Sequence, residues 1–427
     1  MVNVFGYLSI QSDWTVDVST SSADSAGKFW VSGYKLGEES IHGYITVSKS
    51  NSADGATLVD LTATDGASGI TVEYVGPRQL RLSDEKAGIV TPVLYTAPRT
   101  TVACSQVVRG TGVRSFDVSK YGGLLVAGGD DGVLDVYETQ SSRQRVGLEG
   151  HLGDITSCTF FPSGQVVLTG ASDLSLRVWS ASDGTNPVTL IGHTAAITDT
   201  AIVGKGRNVV SASKDGTLRL WHCATAATLQ TLSLSTLAVN AIDLVADSGE
   251  SEETTEDENE FETAGKLVAV ACEDGNALVV DLQTKETVFS FASEPSAVPV
   301  RAIAYDLANE LLYSGRADGV VDIWLTTVPT APVYSFKRNN SPISALRLIQ
   351  HVEPGLPLLC VGTEDGQLFV VAIDCAIDNV VTAKVVEELV AFDVDPITQI
   401  RAAPSTAPNA SRQSIWASGR STNVYEF

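Results

Sequence analysis

Short apolar runs rich in Val, Ile, Leu and Thr succeed one another along the chain, broken by Gly, Asp and Asn. Apolar and polar positions alternate in stretches such as GYITVS (43–48), ATLVDLTA (56–63) and GITVEYV (69–75), the period of half-buried strands. No stretch shows the spacing of a clear amphipathic helix. From residue 128 onward a tight acidic turn recurs between paired runs. It reads GGDDGVLDVY (128–137), GASDLSLRVW (170–179), SASKDGTLRLW (211–221), CEDGNALVV (272–280), GRADGVVDIW (315–324) and TEDGQLFVV (363–371), with a degenerate GRSTNVYEF at 419–427. Its acidic residues are Asp131, Asp173, Asp215, Asp274, Asp318 and Asp365, spaced 42, 42, 59, 44 and 47 residues apart.

A period of ~40–45 residues, with Gly-His before the turn and Trp after it, is the signature of a WD-repeat propeller blade. The third copy lays out four strands: AITDTAI (196–202) innermost, NVVSAS (208–213), TLRLW (217–221) and TLQTL (228–232) outermost. The seventh copy supplies only PITQIRA, SIWASG and TNVYEF, so its outer strand must come from elsewhere; TVACSQVV (101–108) has the right length and would close the ring, removing an open edge. The expected fold is all-β: a seven-bladed WD-repeat β-propeller over 99–427, preceded by a small β-rich N-terminal domain over 1–98, with TAPRT (96–100) as linker.

The net charge of −23 disfavours phosphate backbones and anionic lipid, so neither nucleic acid nor membrane is expected as a partner, and basic protein surfaces are. The first basic residue is Lys28, so no signal peptide is expected, and no apolar run has membrane-spanning length. Six scattered cysteines without a CxxC pair read as reduced thiols of a cytoplasmic and nuclear protein, expected to be monomeric on its own. Residues 247–262 (DSGESEETTEDENEFE) carry nine acids and no base, and account for the long 59-residue spacing. They read as a solvated, disordered insert between the first two strands of the fourth blade, on the face opposite the Asp-Gly turns.

Two blades hold a full polar set at identical spacing, His151/Thr169/Asp173/Trp179 and His193/Ser211/Asp215/Trp221, while Ser314/Asp318/Trp324 keeps the spacing without a histidine. Ser, His and Asp together suggest a hydrolase triad. Repetition blade by blade argues instead for a buried hydrogen-bonded packing device, and no GxSxG elbow is present. The histidines show no HExxH spacing and no Walker loop or helix-opening GxGxxG occurs, so no metal, cofactor or catalytic activity is expected.

In this topology the acidic turns and the blade-to-blade connections share one face. It collects Asp130, Asp131, Glu273, Asp274, Glu364 and Asp365 from turns, and Glu149, Asp154, Glu294, Asp393 and Asp395 from connections, against cations such as Lys214 and Arg316. An acidic rim of this kind suits a Lys/Arg-bearing partner, with charge setting encounter rate and register.

IQSDW (10–14), FFPSGQVVLTGASDLSLRVWSASD (160–183), GHTAAITDTAIVGKGRNVVSASKDGTLRLW (192–221) and FDVDPITQI (392–400) resemble the proteasomal ATPase-associated factor family, WD-repeat assembly chaperones of the proteasome regulatory particle. The resemblance implies a non-enzymatic protein that binds the C-terminal domain of a regulatory-particle ATPase subunit, holds a precursor module and leaves as assembly completes. It implies that Asp393 and Asp395 match the family's acidic pair before the last blade. The alternative from the repeats alone is a scaffold or substrate receptor of another complex, such as a ubiquitin ligase.

Overall fold

The computed structural model describes residues 2–22, 26–51, 57–67, 69–104, 112–246, 259–292, 297–350, 356–375, 380–405 and 412–427. Seven antiparallel four-strand blades form in chain order. The second is typical: Ile155–Phe160, Val166–Ala171, Ser175–Ser180 and Val188–Ile191. Ile155 pairs with Ala171 and Ser175 with Ile191, so the acidic turn and the connection between blades lie on one face, as the topology requires. In blades two to seven the register slips just after the first residue of the inner strand, a bulge that re-aims that residue into the neighbouring blade.

That first residue explains a glycine in the repeat. A Cβ on Gly128, Gly170, Gly315 or Gly362, three residues before the acidic turn residue, would strike Ile155, Ile197, Ile343 or Ile397 of the next blade. In blades three and four alanine takes the glycine's place, at Ala212 and Ala271, and the next blade answers with the smaller Val239 and Val300. The paired change keeps the combined volume, as close packing demands.

Around the axis, carboxylates of inner strands accept amides of the following blade: Asp117 from Phe160 (2.7 Å), Asp199 from Ile242 (3.0 Å) and Asp243 from Tyr305 (3.0 Å). Arg401 reaches Asp117 and Arg347 reaches Asp243, each at 3.4 Å. Burial pushes all three carboxyls upward, with the arginines opposing it. These staples, which the repeat pattern did not announce, tie successive blades at the centre.

Ring closure uses Thr100–Ala103, paired antiparallel with Asn423–Glu426 from Ala103↔Asn423 to Thr100↔Glu426, with Val102 fully buried. The strand expected from the sequence began at Thr101 and continued through 105–108, which lie outside the described residues.

Before the ring, Tyr7–Ile10, Gly27–Tyr34, Ile41–Asn51 and Thr57–Thr64 make one sheet. The next three strands, Thr71–Gly76, Gln79–Asp84 and Ile89–Thr96, extend the sixth blade outward through parallel pairing of Leu94–Thr96 with Glu387–Leu389. Asn3–Val4 likewise pairs parallel with the outer strand of the fifth blade. The short helix Trp14–Thr20, with Trp14 buried, was not anticipated; two turns are too short to display a helical period.

Of the acidic insert, 247–258 lie outside the described residues. The expectation of a loose loop does not extend to 259–262. The Phe261 amide donates to Asn208 (2.5 Å), Glu262 accepts from the Lys205 amide (2.6 Å), and the buried Glu260 pairs with Lys285 (2.7 Å). Satisfied carboxylates, with the Phe261 ring against the Arg207 guanidinium and the His222 ring, anchor this end to blades three and four.

Candidate functional site: the acidic face of the ring

The polar relays are built as the spacing implied. In the third blade Trp221 Nε1 donates to Ser211 Oγ (2.8 Å), Ser211 Oγ lies 2.7 Å from His193 Nε2, and His193 Nδ1 lies 2.9 Å from Asp215. A carboxylate on Nδ1 requires the proton there, so Nε2 accepts from the serine and the chain runs in one direction. Trp179, Thr169, His151 and Asp173 repeat it with 2.8, 2.7 and 2.9 Å links. Ser211 and Thr169 are fully buried, beyond reach of any substrate. The fifth blade retains Trp324→Ser314 (3.0 Å).

Arg316 stands where the fifth blade has no histidine. Read from sequence as a rim cation, it is only 3% exposed, and its guanidinium binds Asp318 (2.7 and 3.1 Å) and Asp322 (3.3 Å). It belongs to the blade's internal scaffold rather than to a surface for partners.

Protonation of the relays has a defined sign. Burial lowers the pKa of His151 and His193 below the ordinary 6.5, against the raising effect of Asp173 and Asp215. The stability this contributes is complete above pH 6.5 and is lost as pH falls below it. Burial pushes Asp215 up, but donors from Thr217, Thr194 and His193 outweigh it and hold the carboxyl well below the usual range. Its contribution is present above the ordinary value of 3.8 and is lost below it. His151→Gln with His193→Gln should therefore give a protein less stable at pH 7, whose melting temperature changes less between pH 7 and pH 5 than that of the unaltered chain. Scanning calorimetry across that range checks it, and an equal slope in both proteins would refute the sign.

The acidic face sorts into locked and open charges. Asp395 accepts the Ser421 amide (2.7 Å) in the seventh turn, Asp365 accepts from Asn339 (2.7 Å), Thr363 (2.5 Å) and Gln367 (2.8 Å), and Asp274 from Ser235 (2.9 Å). Asp130 pairs with Arg114, which also reaches Asp154 at 3.5 Å, and Glu273 pairs with Arg301 (3.4 Å) while accepting from Asn240 (2.8 Å). Asp131, Glu149, Glu364 and Asp393 are exposed. Glu294 lies outside the described residues.

Sequence reasoning missed two features of this face. Leu152 and Val394, in connections on the same face, are 88% and 82% exposed, with Ile191 and Leu237 also open. Their signal was available: one apolar residue follows a Gly-His pair and the other separates Asp393 from Asp395. The second feature is that the N-terminal segment reaches the rim, where Ser12 Oγ donates to Asp393 (3.0 Å). Exposed aliphatic residues among acids suit a partner that is both apolar and basic.

Fold, relays and face together define a WD-repeat propeller, and the "WD domain, G-beta repeat" model matches residues 142–180 and 184–222. The similarity runs well beyond those blades. The chain is 37% identical over 398 residues to human "Proteasomal ATPase-associated factor 1" (92% of this chain, 93% of that protein). It is 34% identical over 423 residues to the Dictyostelium discoideum "Probable proteasomal ATPase-associated factor 1" (96% and 94%) and 35% identical over 398 residues to the bovine protein (92% and 93%). The chain belongs to the proteasomal ATPase-associated factor 1 family.

Proposed function

We propose that this protein is a non-catalytic assembly chaperone that binds the C-terminal domain of a proteasome regulatory-particle ATPase subunit through the acidic face of its propeller. Family membership over nearly the whole chain is the observation that carries the reading, because the relatives bear the name of a proteasomal ATPase-associated factor. The composition of the face agrees with it: exposed carboxylates at Asp131, Glu149, Glu364 and Asp393 share the face with exposed Leu152 and Val394. The carboxylates steer a basic surface into register and the aliphatic side chains contribute area once it docks. The relay side chains are buried and hydrogen-bonded, so their role is to hold the turns that present this face.

Asp393→Lys with Glu364→Lys should weaken binding of an isolated ATPase C-terminal domain about 10-fold, mainly by slowing association. Both side chains are exposed, so the fold should persist, whereas Asp395 holds the Ser421 amide and is left intact. Glu286→Lys with Glu310→Lys makes the same charge change in exposed turns of the opposite face. Surface plasmon resonance at two salt concentrations decides it, since screening over ~8–10 Å should weaken the native interaction as salt rises. Equal loss in both double variants would reduce the effect to net charge; no loss in either would place docking elsewhere.

A further inference from the structure

The parallel strands Ile89–Thr96 and Val381–Leu389 are hydrogen-bonded only where Leu94–Thr96 meets Glu387–Leu389. Toward their N-terminal ends they part, and Val4, Phe5 and Gly6 pass beside the gap. What results is an open cleft of about 360 Å³, walled by Phe5, Ile89, Val93 and Val385, within the range of sites that hold a ligand. Val90 at its mouth is 73% exposed, and Val380 just before the outer strand is 56% exposed. The cleft sits at the end of the sixth blade's outer strand remote from the acidic rim.

Its two walls are unequal as strand edges. Among the described residues no strand pairs with the cleft side of 89–93 or of 381–386. Pro92 lacks an amide hydrogen, which discourages pairing along Ile89–Thr96. The edge of Val381–Leu389 carries no proline, and before Glu387 the backbone contact there is that of the Tyr334 hydroxyl with Ala383. An edge of this kind is a template for one more strand.

Charge sets the polarity of what would fit. In a chain with 51 acidic and 28 basic residues, the charged side chains lining this cleft are both lysines, Lys35 and Lys384. Lys35 forms an exposed pair with Glu38 (2.5 Å), which a competing carboxylate could exchange at little cost. Lys384 is exposed, and none of the ion pairs among the described residues includes it.

We propose that this cleft is a second docking site, which takes an extended peptide segment of a partner protein by strand addition to residues 381–386. Alternate aliphatic side chains of the peptide enter the cleft, and one or more of its carboxylates meet Lys384 and Lys35. The rim and the cleft thus select opposite charges, so one protein engages two chemically distinct surfaces. This does not rest on the identity of the partner at the rim.

The test uses the full chain and a fluorescein-labelled peptide, acetyl-Thr-Val-Thr-Val-Asp-Asp, against the same peptide ending in Lys-Lys. Fluorescence polarisation at concentrations up to about 1 mM should show saturable binding of the acidic peptide and tenfold weaker binding of the basic one. Lys384→Glu should weaken the acidic peptide at least tenfold and improve the basic one, and Val90→Asp should weaken both. Both side chains are exposed, so unchanged melting temperatures will show that the variants fold. Hydrogen exchange should slow at residues 381–386 when the acidic peptide is added. Absence of saturable binding, a preference for the basic peptide, or affinities unmoved by both substitutions would overturn the proposal. None of these results bears on the rim.

Discussion

Arg338→Met is expected to cost about 3–5 kcal/mol of stability, because it leaves the buried Glu388 carboxylate without its countercharge. Arg338 and Glu388 are 3% and 7% exposed, and the guanidinium grips the carboxylate with two nitrogens, one at 3.0 Å. The same guanidinium lies over the Phe369 ring at 3.6 Å and faces Tyr7 at 5.3 Å, so it joins blades five and six to the first strand of the N-terminal sheet. Urea unfolding measures the loss. Burial already pushes the Glu388 carboxyl above 4.5, against the pull of Arg338. Without that pull it rises further, so the deficit should grow as pH rises through the raised value and shrink toward pH 4.5. Pairing the change with Glu388→Leu should recover most of the lost stability, since an apolar pair of similar size needs no countercharge. A deficit that is flat with pH and not relieved by the second substitution would mean that lost packing, not charge, dominates.

Deleting Thr100–Ala103 should be at least as damaging, by on the order of 5 kcal/mol or more from Val102 burial and the lost ladder bonds together. Besides the ladder itself, the Arg99 amide bonds Glu426 (2.6 Å) and the Cys104 amide bonds Thr422 (2.8 Å) on either side of it. The deletion also bares the edge of Asn423–Glu426, so the protein should associate in a concentration-dependent way. Calorimetry and analytical ultracentrifugation would detect both effects, and a synthetic peptide spanning 98–104 should partly reverse the association. An unchanged cooperative transition would mean that the ring does not depend on this strand.

Legibility differed from one part of the molecule to another for reasons that can be named. The strands around each turn were readable because one tight geometry is required in every blade, and the same residue types recur to satisfy it. In the third blade the expected second strand, 208–213, is the observed Asn208–Ser213. The relays were readable for the same reason, as two independent sets share one spacing. The charges of the rim were readable as composition but not as function. Asp365 and Asp395 differ from their neighbours Glu364 and Asp393 in how far they are turned from solvent: the first two are held by donors of the propeller's own turns, while the exposed Asp393 meets Ser12 of the N-terminal segment.

The sequence alone determined that this is an all-β WD-repeat propeller with an acidic face, because each blade is specified locally, within about 40 residues, by turns and alternation. Tertiary structure decided everything that depends on residues far apart. The axial staples join Asp117, Asp199 and Asp243 to amides 43 to 62 positions away, from two different positions of the inner strand. Arg316 became an internal clamp because its blade has no histidine to hold Asp318. The parallel pairing of Leu94 with Glu387 attaches the N-terminal strands to the sixth blade. Such pairing leaves no periodic trace in either segment, since any strand edge of matching length offers the same backbone groups. Side-chain contacts distinguish this edge from the others: Thr96 Oγ1 donates to the buried Glu387 (2.6 Å) across the seam, and Arg338 lies beside Tyr7.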